Sequence, residues 1–228
     1  MSSEPDIALL AAAITEPARA AILVHLLDGR SWTATELKDA AGIRASTASA
    51  HLQKLLSCGL IKVSPSGRHR YFRLANVEIA KLVELLQCFA PARPPVTPGE
   101  RRCSAALRKC RMCYDHLAGR LGVAIAETMV QNQWLTEEEP WFRLTDAGAA
   151  ALSRLSIAPS AGRTCTDWSE RKFHLAGALG ARLAQCFLER RFVVRVQAGR
   201  ALRITATGWE ALERDFGFSK WTLERLGT

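Results

Sequence analysis

Two stretches in the second half of this 228-residue chain carry side chains able to hold a metal ion. The first is Cys110-Arg111-Met112-Cys113-Tyr114-Asp115-His116, a CxxCxxH motif; the second places Cys165-Thr166-Asp167 several residues ahead of His174. Thiolate and neutral imidazole are soft to borderline donors, and two of each suit tetrahedral zinc or another thiophilic metal ion. The expected ligand set is Cys113, His116, Cys165 and His174, with Cys110 or Asp167 in reserve. On a continuous helix His116 would drift off the face shared by Cys110 and Cys113, so the motif favours a helix that begins near Tyr114. The same thiols also suit a redox switch, and a small-molecule effector pocket is a third reading. The seven cysteines are an odd count spread along the chain, a poor disulfide framework. Cys58 and Cys186 read as packing residues.

These residues need elements to bring them together, and an internal repeat supplies a reason to expect that. His116-Leu117-Ala118-Gly119-x-Leu121-Gly122 recurs as His174-Leu175-Ala176-Gly177-x-Leu179-Gly180. Further on, Arg143-Leu144-Thr145-x-x-Gly148 recurs as Arg203-Ile204-Thr205-x-x-Gly208, and a longer hairpin at Gln197-Ala198-Gly199-Arg200 accounts for the change in offset. Leu117, Leu121, Ile125 and Met129 correspond to Leu175, Leu179, Leu183 and Phe187. Each repeat reads as a helix, a short strand pair or single strand, and a final helix, covering about 101–157 and 158–228, and the two are expected to pack about a pseudo-two-fold axis with their glycine-rich helix starts in contact. Trp134, Trp141, Trp168, Trp209 and Trp221 read as core anchors. Ahead of the repeats, Ala90 to Gly99 holds four prolines and reads as a linker over 91–100.

The first ninety residues carry a different chemistry. Apolar spacing predicts helices on either side of Thr15-Glu16-Pro17, then a short helix over Thr35–Ala41, a turn at Gly42-Ile43 and a helix over Arg44–Leu56. Two short helices joined by a tight turn form a helix-turn-helix. The polar face of the second helix presents Arg44, Ser46, Thr47, Ser49, Ala50, His51, Gln53 and Lys54, residues suited to phosphates and to base edges in a major groove. Strands at Leu60–Val63 and Tyr71–Leu74 flank a turn with Arg68, His69 and Arg70, a basic wing suited to phosphate contact. A formal net charge of +9 fits a polyanionic partner.

The run from Glu36 to Leu74 resembles the ArsR/SmtB family of winged-helix regulators. Ser46-x-x-Ser49-x-His51-Leu52-x-x-Leu55, then Cys58-Gly59-Leu60-Ile61, then Gly67-Arg68-x-Arg70-Tyr71-Phe72-x-Leu74 carry the likeness over residues 1–90. The resemblance implies double-stranded operator DNA as partner and a homodimer formed by the first helix and the helix after the wing, where Ile79, Leu82, Val83, Leu85, Leu86 and Phe89 give a wide apolar face. It implies a repressor released by an effector. The family's familiar metal sites are missing: Thr35–Ala41 holds no cysteine, and the helix after the wing offers only Glu78, Glu84 and Cys88. Any sensing site is therefore expected in the region 101–228.

The fold class that follows is mainly α with small β-hairpins: a winged helix-turn-helix and a C-terminal pair of helix–strand–helix repeats. No phosphate loop, nucleophile elbow or framed carboxylate pair points to an enzyme; a thiol redox enzyme is the non-regulator alternative. The apolar run Ile7–Ile14 is too short to span a membrane, and MSSEPDIALL lacks the basic start of a signal peptide, so the expected address is cytoplasmic.

Overall fold

The computed structural model describes residues 4–196, 199–219 and 223. The chain packs as two bodies, Met1–Val83 and Glu84–Thr228. In the first, α1 (Ile7–Ile14) starts at Asp6, whose side chain accepts from the Leu9 amide. Helix α2 (Pro17–Leu26) has proline at its first turn, where the missing N–H has no intrahelical partner to lose. It buries Ala18, Ile22, Leu23 and Leu26. Strand β1 (Trp32–Thr33) leads into α3 (Ala34–Ala41), which opens on a capping box between Thr33 and Glu36 and ends at Gly42 in the left-handed conformation. Helix α4 (Ala45–Ser57) buries Ala48, Leu52 and Leu55. Strands β2 (Ile61–Ser66) and β3 (His69–Leu74) form the wing, and the sheet order is β1-β3-β2.

Two details of this half depart from expectation. The wing is longer than its apolar residues suggest, because Ser64, Pro65, Ser66, His69 and Arg70 pair within the ladder and leave Gly67-Arg68 as the tip. Polar residues on both faces of an exposed ribbon give no alternation to read. Strand β1 pairs Trp32 with Phe72 and Thr33 with Tyr71. It is fixed by an anchor four residues back along the chain, the Trp32 indole donating to the buried Asp28 carboxylate at 3.0 Å.

Helix α5 (Val77–Phe89) starts in the first body, and its residues from Glu84 onward belong to the second. Helix α6 (Pro98–Lys109) takes Pro98 and Gly99 into its first turn, with Thr97 and Glu100 as a capping box, so the irregular connector is shorter than the proline content suggests. There follow β4 (Arg111–Cys113), β5 (His116–Ala118), α7 (Gly119–Gln131), β6 (Leu135–Glu138), β7 (Trp141–Leu144) and α8 (Asp146–Ser153). The pattern returns as β8 (Gly162–Thr166), β9 (Phe173–Ala176), α9 (Gly177–Glu189), β10 (Val193–Arg195), β11 (Leu202–Ile204) and α10 (Ala206–Phe216). The helix expected near Tyr114 starts instead at Gly119. Tyr114 has φ 61° in the turn of the β4–β5 hairpin, and Cys110 to His116 is not helical.

The repeats pack reciprocally. Helix α7 lies on β9, α9 lies on β5, and β5 meets β9. Leu117, Leu121, Ile125 and Met129 share one buried core with Leu175, Leu179, Leu183 and Phe187. Trp134 and Trp209 pack against that core, whereas Trp141 is exposed and Trp221 lies outside the described residues, as do Gln197 and Ala198. Gly122 and Gly180 permit the close approach. A methyl group on Gly180 would stand 2.3 Å from the Leu175 carbonyl oxygen and 3.2 Å from His116 Cβ; one on Gly122 would stand 2.5 Å from the Leu117 oxygen and 3.6 Å from His174 Cβ. Gly180→Ala is expected to destabilise the second body by on the order of 1–3 kcal/mol, read as a lower urea midpoint for the unfolding of that body.

Candidate functional site

Each hairpin presents one cysteine opposite one histidine. Cys113 pairs with His116 across β4–β5, and Cys165 pairs with His174 across β8–β9. Directly opposed residues on an antiparallel pair point to the same face. Because β5 meets β9, the two Cys–His pairs converge, and one ligand atom from each of Cys113, His116, Cys165 and His174 falls within 4.8 Å of all the others. The two sulfurs are 3.9 Å apart and the two Nε2 atoms 3.1 Å apart. A tetrahedral ion with bonds of ~2.3 Å to sulfur and ~2.0–2.1 Å to imidazole sets S···S near ~3.8 Å and N···N near ~3.3 Å. The donor set matches those edges in kind and in length.

The surroundings orient the donors. His116 Nδ1 is 2.9 Å from Asp115 Oδ1, and His174 Nδ1 is 3.5 Å from Asp167 Oδ2. The Asp115 carboxylate favours a proton on His116 Nδ1 and so turns the Nε2 lone pair of that ring toward His174 Nε2, whereas His174 Nδ1 lies beside Asp167 without a hydrogen bond to it. Two Nε2 lone pairs at 3.1 Å repel each other unless a cation or a shared proton lies between them. Burial lowers the basicity of the His116 imidazole, but the Cys113 sulfur and the Asp115 carboxylate outweigh it and hold the group above its ordinary range. The Cys113 thiol is pushed well up by its hydrogen bond with Cys165 and by burial. Both hold protons that a bound metal ion must displace.

Asp167 is placed as an orienting group. It is fully buried and forms an ion pair with the equally buried Arg111 at 3.0 Å. It also accepts from the Gly119 amide at 2.6 Å, and from the Ser169 amide and hydroxyl. Burial opposes its charge, but Arg111, His174, Ser169 and Gly119 together hold its carboxyl far below the usual range. Arg111 also lies 4.6 Å above the Trp168 ring. Cys110 stands apart from the quartet. It belongs to the hydrophobic core, and desolvation pushes its thiol up to about 12. The sequence reading overlooked Asp115 and Arg111. Asp115 had a local signal, a carboxylate immediately before a ligand histidine; Arg111 had none.

On α4, Arg44, Ser46, Thr47, Ser49, Ala50 and Gln53 are exposed, as are Arg68, His69 and Arg70 on the wing; Lys54 is half-buried. His51 is different. Its Nε2 lies 3.2 Å from the Glu16 carboxylate and its Nδ1 lies 3.3 Å from Arg19 Nη1, so both ring nitrogens are engaged with the start of α2. The expectation that His51 reads a base is corrected accordingly: its ring anchors the recognition helix to α2. Among the described residues no single helix is long and apolar enough to cross a membrane.

A winged helix-turn-helix with an exposed polar recognition helix defines a DNA-binding transcriptional regulator. Residues 14–64 match the family model described as a helix-turn-helix domain. The chain is 40% identical over 218 residues to the uncharacterized HTH-type transcriptional regulator YdfF of Bacillus subtilis, covering 92% of this chain and 96% of that protein. It is 38% identical over 85 residues to the HTH-type transcriptional regulator CmtR of Mycobacterium bovis, covering 37% of this chain and 71% of that one. Among solved structures, the cadmium metal-sensor CMTR from Mycobacterium tuberculosis matches at 33% identity with a TM-score of 0.32, covering 40% of this chain and 99% of that chain. A homodimeric winged helix-turn-helix domain from Mycobacterium bovis, a possible ArsR-family regulator, matches at 30% identity with a TM-score of 0.34, covering 38% and 87%. The chain belongs to the family of HTH-type transcriptional regulators.

Asp167→Asn is expected to destabilise the second body by on the order of 3–5 kcal/mol, because it leaves the Arg111 charge buried without its partner. The double variant Arg111→Met/Asp167→Asn should lose less than the two single variants combined, a coupling that a urea-denaturation double-mutant cycle measures.

Proposed function

We propose that the chain is a dimeric repressor whose operator affinity is set by a thiophilic metal ion held at Cys113, His116, Cys165 and His174. One observation carries this reading: four soft or borderline donors from two hairpins converge within 4.8 Å, each histidine backed by a carboxylate. Zinc and cadmium both suit two thiolates and two imidazoles. In this reading the two hairpins divide the work equally. Each supplies one sulfur and one Nε2, while Asp115 fixes the tautomer of His116, Asp167 lies beside His174, and the core around Leu117 and Leu175 excludes water.

The DNA side of the proposal rests on the exposed face of α4 and the basic wing. In this reading Gln53 and Arg44 reach base edges, and Ser46, Thr47 and the wing arginines contact phosphates. Dimerisation is assigned to exposed apolar side chains on α1 and α5. Ile7, Leu9, Leu85, Leu86 and Phe89 are 78%, 53%, 50%, 42% and 84% exposed. Val83, expected on that face, is instead buried within the chain. A two-fold dimer presents its recognition helices about one helical turn of DNA apart, ~34 Å.

Two experiments test this. In the first, cadmium is titrated into the full-length protein and followed by sulfur-to-cadmium absorption. The expected result is one ion per chain for the parent, and loss of the signal in Cys113→Ser and His174→Ala variants that remain dimeric. Unchanged cadmium uptake in both variants overturns the site. In the second, binding to a duplex from the protein's own promoter region is measured across salt concentrations. Gln53→Ala should lose on the order of 1–3 kcal/mol of discrimination against mismatched sequence. Arg68→Ala and Arg70→Ala should weaken binding to all duplexes and flatten the salt slope.

A further inference from the structure

The second repeat departs from the first in two places. Cys113 and His116 pair across a two-residue turn, whereas Cys165 and His174 pair across a connection six residues longer. Leu135 pairs with Leu144 in the next hairpin of the first repeat, whereas Val193 pairs with Ile204, two residues longer. Both added lengths touch the last turns of α5. Where the first leaves β8, the Thr166 carbonyl accepts from Cys88 Sγ at 3.5 Å, and within it Arg171 Nη1 donates to the Cys88 carbonyl at 2.5 Å. In the second, the Arg200 guanidinium donates to the Glu84 carboxylate at 2.5 Å and to Gln87 at 3.1 Å. Glu84 and Arg200 are 2% and 5% exposed, so the pair is desolvated and held in place.

These contacts lie one step from the ligand cysteines. The Arg200 carbonyl accepts from the Met112 amide, and the Leu202 amide donates to the Cys110 carbonyl, both at 2.9 Å, so this segment runs alongside β4, the strand that ends in Cys113. Thr166 is the immediate neighbour of Cys165. Glu84 and Cys88, four residues apart, share one face of α5.

We propose that Glu84, Gln87 and Cys88 form the read-out face of the sensing site. The last turns of α5 are held by Arg200, whose segment pairs alongside β4, and by Thr166 and Arg171, at the end of β8 and in the connection after it, so the contacts border the two strands that carry Cys113 and Cys165. Fixing those strands around an ion therefore sets the position of α5, which runs unbroken back to Val77 at the end of the wing. This inference rests on the reading that the quartet binds the effector. A link that served only to hold the second body together would lower stability on removal and leave the response to metal intact.

The test uses the full-length protein with cadmium as the probe. Glu84→Gln/Arg200→Met removes both charges together, so neither is left buried alone; Cys88→Ala is a milder second variant. Cadmium absorption reports whether the site fills, hydrogen exchange over residues 77–89 reports on α5, and binding to the promoter duplex reports the response. For the parent, cadmium should slow exchange at 84–89 and change duplex affinity at least tenfold. The double variant should take up one cadmium per chain, show no change in α5 exchange, and respond less than twofold; Cys88→Ala should fall between. Variants that respond like the parent overturn the inference and leave the metal site standing. A parent that takes up no cadmium overturns the sensing reading, and the inference with it.

Discussion

Polar atoms placed in an apolar core must find partners there, and that requirement organises the C-terminal body. Four donor side chains, three of them buried and Cys165 half-buried, sit beside the carboxylate of Asp167 and the guanidinium of Arg111, which have no exposed surface. An unpaired charge at such a position costs several kcal/mol. The structure meets most of the demand by closing these groups on one another, although Arg111 Nε and His174 Nδ1 are left without a hydrogen-bond partner. Arg111 neutralises Asp167, Asp167 takes the Gly119 amide at the start of α7 and faces His174, and His174 meets His116. Strand, helix start and ligand histidine are thus positioned by one carboxylate.

The duplication explains why such a network can exist in a small domain. A hairpin that places cysteine opposite histidine, used twice, yields four donors from one local design. The reciprocal packing of α7 on β9 and α9 on β5 then brings the copies face to face. The glycines at 122 and 180 are part of the same arrangement, since each lies against the histidine of the other repeat. The longer connections of the second copy supply Asp167, Arg171 and Arg200.

Much of this was legible in the residues. The repeat anchors at His116 and His174 identified equivalent positions, and a nearby cysteine at each suggested the quartet. The recognition helix was legible because Ala48, Leu52 and Leu55 mark its inner face. What escaped notice depends on distance along the chain. Three-residue strands such as β4 and β5 are too short for alternation to declare itself, and CxxC invites a helical reading that the hairpin contradicts. The engagement of His51 with Glu16 and Arg19 joins residues more than thirty positions apart, so nothing beside His51 announces it. Pro98 looked like part of a linker because proline both extends a chain and opens a helix; the Thr97–Glu100 box decides for the helix.

The two halves of the proposed ligand set lie on one continuous chain, and that has a bearing on dose. Were each Cys–His hairpin carried by a separate subunit, the quartet would form only as those subunits met, and its occupancy would follow protein concentration as well as ion concentration. Tethering replaces that encounter with an intramolecular one, at an effective concentration set by the connecting residues. Occupancy of such a site tracks the free ion alone, whether the cell holds a few copies of the protein or many.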